Sequence, residues 1–147
     1  MKNIGIVGSR RRDTKEDLDA CRKIFLEIYE EGDIIVSGGC PKGGDRFAKI
    51  FIEEYHTQKI IHYPDKSKLD PVKLKQNPRW AYAEINFARN TLIAKDSDVL
   101  IAVVASDRKG GTEDTIKKAI AMGKKIILVP QVTQPSLSEY DPLQEPL

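Results

Sequence analysis

Asp33-Ile34-Ile35-Val36-Ser37-Gly38-Gly39-Cys40-Pro41-Lys42-Gly43-Gly44-Asp45 decides the fold. An apolar run ends in a loop with four glycines, and a helical pattern from Phe47 to Tyr55 begins at once. Glycine lets a backbone approach something closely and turn through positive φ. The helix that follows exposes unpaired N–H groups at its start. Together these make a cradle for an anion, most often a phosphate. Two other loops share this character, Gly8-Ser9-Arg10 and Gly110-Gly111-Thr112. We expect the three loops to form one site that holds a nucleotide or a nucleotide-like ligand.

Working outward, each glycine loop follows a short, nearly continuous apolar run. Asn3–Gly8, Asp33–Ser37, Lys59–Tyr63, Asp98–Val104 and Lys125–Val129 read as strands. Such runs belong to strands covered on both faces, hence to a parallel sheet with helices on each side. Helical patterns alternate with them over residues 13–31, 45–56, 77–96 and 112–122. In the first, Leu18, Cys21, Phe25 and Ile28 share a stripe, Asp13 and Glu16 have capping-box spacing, and Gly32 supplies the stop. Asn77-Pro78 is a helix start, and Ala81, Ile85, Ala88 and Leu92 are in phase behind it. In the last helix Ile116, Ala119, Ile120 and Gly123 face inward. Residues 65–77 have no clear period and are a candidate lid.

Strict alternation predicts an α/β, Rossmann-like three-layer sandwich with a five-stranded parallel sheet of order 3-2-1-4-5. Right-handed crossovers place all three glycine loops on one edge, where such folds bind ligands. The domain spans residues 1–130, and a Pro-rich tail occupies 131–147. Leu137, Tyr140, Leu143 and Leu147 make that tail apolar enough to pack along the domain or against a second subunit.

The 24 basic and 22 acidic residues nearly balance, which argues against a dedicated nucleic-acid or membrane-surface binder. Cys21 and Cys40 are far apart and form no CxxC, so a reducing compartment without disulfide or zinc site is expected. His56 and His62 are too isolated for a metal site or a triad. No cofactor or metal is expected. No run reaches the length of a membrane span or a signal peptide, so the protein reads as cytoplasmic.

Within the site, Arg10, Arg11 and Arg12 suit an anion, because guanidinium matches phosphate oxygens in a fork. Ser37 and the amides after it are candidate phosphate ligands. Asp45 is placed either to accept from ribose hydroxyls or to cap the helix it opens. Thr112 is a cap or a phosphate ligand; Glu113 and Asp114 suit a first helical turn but repel a phosphate beside them. Arg89-Asn90 lies near the ligand edge, with Glu84 or Asp96 as alternative partners for Arg89. Tyr63, Trp80, Tyr82 and Phe87 are candidates to stack on a base, or else core. Two helix ends and an arginine supply a few kcal/mol, roughly millimolar binding, so tighter binding needs stacking or closure.

In this order Gly8-Ser9-Arg10, Ser37-Gly38-Gly39-x-x-x-Gly43-Gly44-Asp45, Arg89-Asn90 and Gly111-Thr112-x-x-Thr115-Ile116-x-x-Ala119 resemble the SLOG superfamily. More closely they resemble its small YspA/YpsA-related members. The superfamily gathers the LOG phosphoribohydrolases, the Smf/DprA DNA-processing proteins and several nucleotide sensors on one Rossmann-like fold. The resemblance spans residues 4–130 and implies a nucleotide-derived ligand held by the three loops, and a homodimer. LOG enzymes cleave the base–ribose bond of nucleoside monophosphates with a helix-borne arginine, which Arg89 resembles, and a glutamate three residues after the threonine of PGGxGTxxE. Here that position is Thr115, and the loop reads Asp107-Arg108-Lys109-Gly110-Gly111-Thr112. Glu113 stands two residues earlier, about 200° around the helix.

The expected function is binding of a nucleotide-derived small molecule as a sensor or carrier. The alternative is an N-glycosidase acting on a nucleoside monophosphate, with Arg89 and with Asp45, Glu84 or Glu113 as the carboxyl group. The least favoured is single-stranded DNA binding of the DprA type, which a steep salt dependence would reveal.

Overall fold

The structure, a computed structural model, describes residues 1–132. The tail residues 133–147 lie outside them. Strand β4 (Val99–Val103) is buried at every residue. It lies between β1 (Asn3–Gly8) and β5 (Lys125–Leu128); β2 (Ile34–Ser37) and β3 (Gln58–Ile61) continue the sheet beyond β1. The order is β3-β2-β1-β4-β5 and all pairs are parallel, as the uninterrupted apolar runs predicted. Gly5 pairs with Val36 on one side and Leu100 on the other.

Alternate side chains of these strands feed two cores. On one face Ile4, Ile6, Ile35 and Ile101 meet Phe25 of α1 (Lys15–Ile28) and Phe47 and Phe51 of α2 (Gly44–Tyr55). Phe25 and Phe51 stack at 5.0 Å, and each buried ring contributes about 1.5–3 kcal/mol. On the other face Val7, Val36, Leu100 and Ala102 meet Ile93 and Ala94 of α4 (Pro78–Asp96) and Ile116 and Ala119 of α5 (Gly111–Ala121). Cys21 sits in the first core, its thiol pushed up to about 12 by burial, and is inert packing.

Several local expectations shift. The capping box of α1 is Thr14 with Asp17, one residue on from the expected pair. Asp13 is engaged elsewhere: its carboxylate accepts from Gly43 N at 2.9 Å and Arg46 Nε at 2.7 Å. Residues 65–77 are not a structureless lid. A 3-10 turn (Lys66–Lys68) leads into α3 (Pro71–Gln76), capped by Asp70 and tied to α4 by Lys73–Glu84 at 2.5 Å. Ala88 and Leu92 of α4 face outward, and Asn90, Ile93 and Ala94 are buried, because α5 and the sheet cover that side. In α5 Ile120 likewise turns out to solvent and Thr115 turns in, while Gly123 lies beyond the helix end and is exposed. Among the described residues no helix is long and apolar enough to cross a membrane.

Candidate functional site

β1 and β4 lie side by side, and the chain leaves their C-terminal ends toward opposite edges of the sheet. A crevice opens at such a reversal. Here it is a cleft of about 650 Å³ between the loops after β1 and β4, the start of α2 and one face of α4. Gly8, Ser9, Arg10, Asp45, Arg89, Asn90, Gly110, Gly111 and Thr112 line it, so nine expected residues come together.

The α5 end of the cleft is open. Gly110 is the N-cap, at φ +119°, and offers no side-chain bond to the first turn. Glu113 N donates back to Gly110 O at 3.2 Å, whereas the N–H groups of Gly111 and Thr112, two residues that line the cleft, have no acceptor among the described residues. A Cβ placed on Gly110 or Gly111 would meet nothing within 4 Å. Beneath them Thr115 lines the cleft with its side chain 2% exposed, and its hydroxyl has no hydrogen-bond partner among the described residues. The two acids of this turn are neutralised. Glu113 accepts from Arg108 at 2.9 and 3.0 Å, and Asp114 pairs with Lys118 at 2.7 Å. Their expected repulsion of a phosphate is thus offset. Glu113, held by Arg108, does not line the cleft.

The 37–45 loop is built differently. Ser37, Gly38, Gly39, Gly43 and Gly44 were expected to hold the ligand, and none of them lines the cleft. The space each glycine leaves is filled by the protein itself. A Cβ on Gly44 would fall on the backbone of Val7 and Gly8; one on Gly43, at φ +72°, would lie 2.7 Å from Ser9 O. On Gly38 it would lie 2.6 Å from Arg89 Nη1, and on Gly39 it would enter the Tyr63 ring. The buried Ser37 donates its hydroxyl to Asp45 Oδ1 at 3.2 Å.

Asp45 is the loop's internal clasp. Its carboxylate also accepts from Gly38 N at 3.3 Å and Cys40 N at 2.9 Å. Burial pushes its pKa up, against those bonds and the nearby Arg89 charge. The cap read from the sequence does not hold: the helix N-cap is Gly43, and Asp45 ties the loop to itself. Arg89 pairs with neither Glu84 nor Asp96. It donates through Nη1 to Gly38 O at 2.6 Å and through Nε to Asn90 Oδ1 at 3.1 Å. The buried Asn90 donates through Nδ2 to Gly111 O at 3.4 Å and Asp114 at 3.2 Å, so it fixes α5 against α4.

The three consecutive arginines divide. Arg12 is buried; it pairs with Asp17 at 2.9 Å and donates to the carbonyls of Val104, Val129 and Pro130, a stitch across the sheet edge. Arg11 lines the cleft and forms a fork with Asp107, at 2.7 and 2.8 Å. Arg10 lines the cleft with no hydrogen bond or ion pair among the described residues. Of the aromatic candidates only Phe87 reaches the cleft; Tyr63, Trp80 and Tyr82 are exposed elsewhere. The sequence reading missed Asn86, Lys42 and Asp107 as lining residues. Asn86 carried a signal, since it precedes Asn90 by one helical turn on the same face. Among the described residues no group of three or more His, Cys, Asp or Glu side chains is arranged to hold a metal ion.

The model of the SLOG cluster4 family matches residues 1–145, past the end of the described structure and into the tail expected to lie outside the resemblance. Among solved structures the chain resembles the molybdenum cofactor binding protein from the phototrophic bacterium Rippkaea orientalis. The TM-score is 0.62 at 23% identity, covering 87% of this chain and 76% of that one, and the likeness shows the fold. Curated proteins give no significant match. The chain belongs to the SLOG cluster4 family.

Proposed function

We propose that this SLOG protein binds a phosphorylated, nucleotide-like small molecule in the cleft and acts as its sensor or carrier. The observation that carries the reading is the start of α5: the free N–H groups of Gly111 and Thr112 and two glycines facing open space, over Thr115, whose hydroxyl makes no hydrogen bond among the described residues. Backbone N–H groups and the helix dipole stabilise an anion there. Arg10, unpaired at the rim, adds a cation. That the similar Rippkaea orientalis protein is described as binding the molybdenum cofactor agrees with a small-molecule cargo on this fold.

Hydrolysis of a nucleoside monophosphate is the second reading, and Asp45 is what favours it. It is the cleft carboxylate whose acidity burial has weakened, a trait of general acids. Its three accepted hydrogen bonds weigh the other way, since they hold both oxygens in the loop.

The test is a thermal-shift and calorimetric titration with adenosine 5′-monophosphate and ribose 5-phosphate, on the wild type and on Gly111→Val. A ligand that binds only the folded state raises the melting point. The wild type should bind, and Gly111→Val should weaken both ligands about tenfold, near 1.4 kcal/mol, with the melting point unchanged. Equal binding by the variant would overturn the α5 site. Release of free adenine on prolonged incubation would replace the carrier reading with the hydrolase.

A further inference from the structure

Two asparagines stand one turn apart on the cleft face of α4, and the contrast between them is informative. Asn90 is buried and spends its amide on Arg89, Gly111 and Asp114. Asn86 also lines the cleft, half-buried, and its side chain has no hydrogen bond among the described residues. Next to it the Phe87 ring is 40% exposed and lines the same cleft. The Lys118 ammonium stands over that ring, 5.5 Å from its centroid, and donates to Phe87 O and Asp114 at 2.7 Å each. Lys118 thus fixes one side of the aromatic group.

From these residues we propose that Asn86 and Phe87 form a subsite for a planar heteroaromatic ring of the purine kind, and that Asn86 selects among such rings. This rests on the phosphate-anchor reading above. The spacing supports it. Asn90 touches Gly111 at the anion end, and Asn86 lies one helical turn, about 5.4 Å, further along α4. That is about one sugar's length from the anchor, where the ring of a 5′-phosphorylated nucleoside begins. An aromatic side chain stacks on any base, whereas an amide presents a donor and an acceptor side by side and reads a ring edge that has the complementary pair. The ring therefore contributes affinity through Phe87 and selectivity through Asn86.

The experiment is calorimetric titration with adenosine 5′-monophosphate, guanosine 5′-monophosphate and ribose 5-phosphate. It is run on the full chain and on Phe87→Ala, Phe87→Tyr, Asn86→Ala and Asn86→Asp, with unfolding curves for each. One purine nucleotide should bind at least about tenfold more tightly than ribose 5-phosphate, in line with the stacking energies of bases on aromatic side chains. Phe87→Ala should remove most of that advantage and leave ribose 5-phosphate unchanged; Phe87→Tyr should keep it. Asn86→Ala should narrow the gap between the two purines, and Asn86→Asp, an acceptor without a donor, should shift their order. Ribose 5-phosphate binding with no purine advantage would overturn the ring subsite alone. An advantage that survives both alanine variants would also overturn it. Failure of all three probes to bind would overturn the phosphate anchor, and this subsite with it.

Discussion

The two glycine-rich loops, 37–45 and 110–112, look alike in sequence and do opposite things. In the first, the missing side chains make room for the protein's own atoms: the β1 backbone, Arg89 and Tyr63. In the second, the room is left empty at the mouth of a cleft. Both lead into helices without a side-chain cap, so both present first-turn amides. Only the second also presents open space. A glycine cluster thus reports that something approaches the backbone closely, and the structure decides whether that is the fold or a ligand.

Exchanging a methyl group across the two loops should break them differently. Gly44→Ala puts a Cβ onto the β1 backbone and should lower stability by on the order of 3 kcal/mol, read as a shifted urea midpoint. Gly111→Ala, in open space, should leave the midpoint unchanged or raise it slightly. Equal losses in both would erase the distinction between a packed loop and an open one.

Asp45→Asn probes the clasp that closes the first loop. The amide cannot accept from Ser37, Gly38 and Cys40 together without turning an N–H₂ toward one of the donors. A stability loss of about 2 kcal/mol at acid pH is expected. Because burial raises the folded pKa of Asp45, its contribution is complete below the ordinary carboxylate range and is lost as pH rises through the raised value. The gap between wild type and variant should therefore narrow as pH rises from below that range. A gap that widens instead would show that the ionised clasp, and not the protonated one, is favoured by the fold.

The architecture was legible because it depends on coarse signals. Five uninterrupted apolar runs, from Ile4-Gly5-Ile6-Val7 to Ile126-Ile127-Leu128, need cover on both faces and so dictate a parallel sheet. The location of the cleft followed from topology, and nine of its lining residues with it. What stayed hidden depends on partners distant in the chain. Nothing in Arg10-Arg11-Arg12 says that the third arginine ties β4 to the end of β5. The identity of Gly38 does not say that Arg89, far along the chain, occupies its missing side-chain volume. The outward turn of Ala88 and Leu92 depends on which side of α4 is covered by α5. Thr115 stood out in the sequence as a departure from a glutamate motif; its unpartnered hydroxyl under the helix start is visible only in three dimensions.

The smallest effect concerns the charge pair that borders the open loop. Arg11 and Asp107 are 55% and 43% exposed, and their fork joins the loop after β1 to the loop after β4. The Arg11 guanidinium, aided by the Lys109 N–H and charge, holds the Asp107 carboxyl down at about 2. A depressed acid contributes above the ordinary carboxylate range and loses that contribution as pH falls through about 2. Solvent screening keeps the effect on folding slight. The carboxyl resonance itself is the sensitive readout. In Arg11→Ala its NMR titration midpoint should return toward the ordinary range, and a midpoint still near 2 would show that the Lys109 amide sets it alone. The same pair competes with the ligand for Arg11. Asp107→Asn should free the guanidinium to turn toward the anion end of the cleft and strengthen adenosine 5′-monophosphate binding a few-fold, more at low salt than at high. Weaker binding in that variant would mean that Asp107 holds Arg11 in place for the ligand, and that the rim of the open loop is as preassembled as the interior of the packed one.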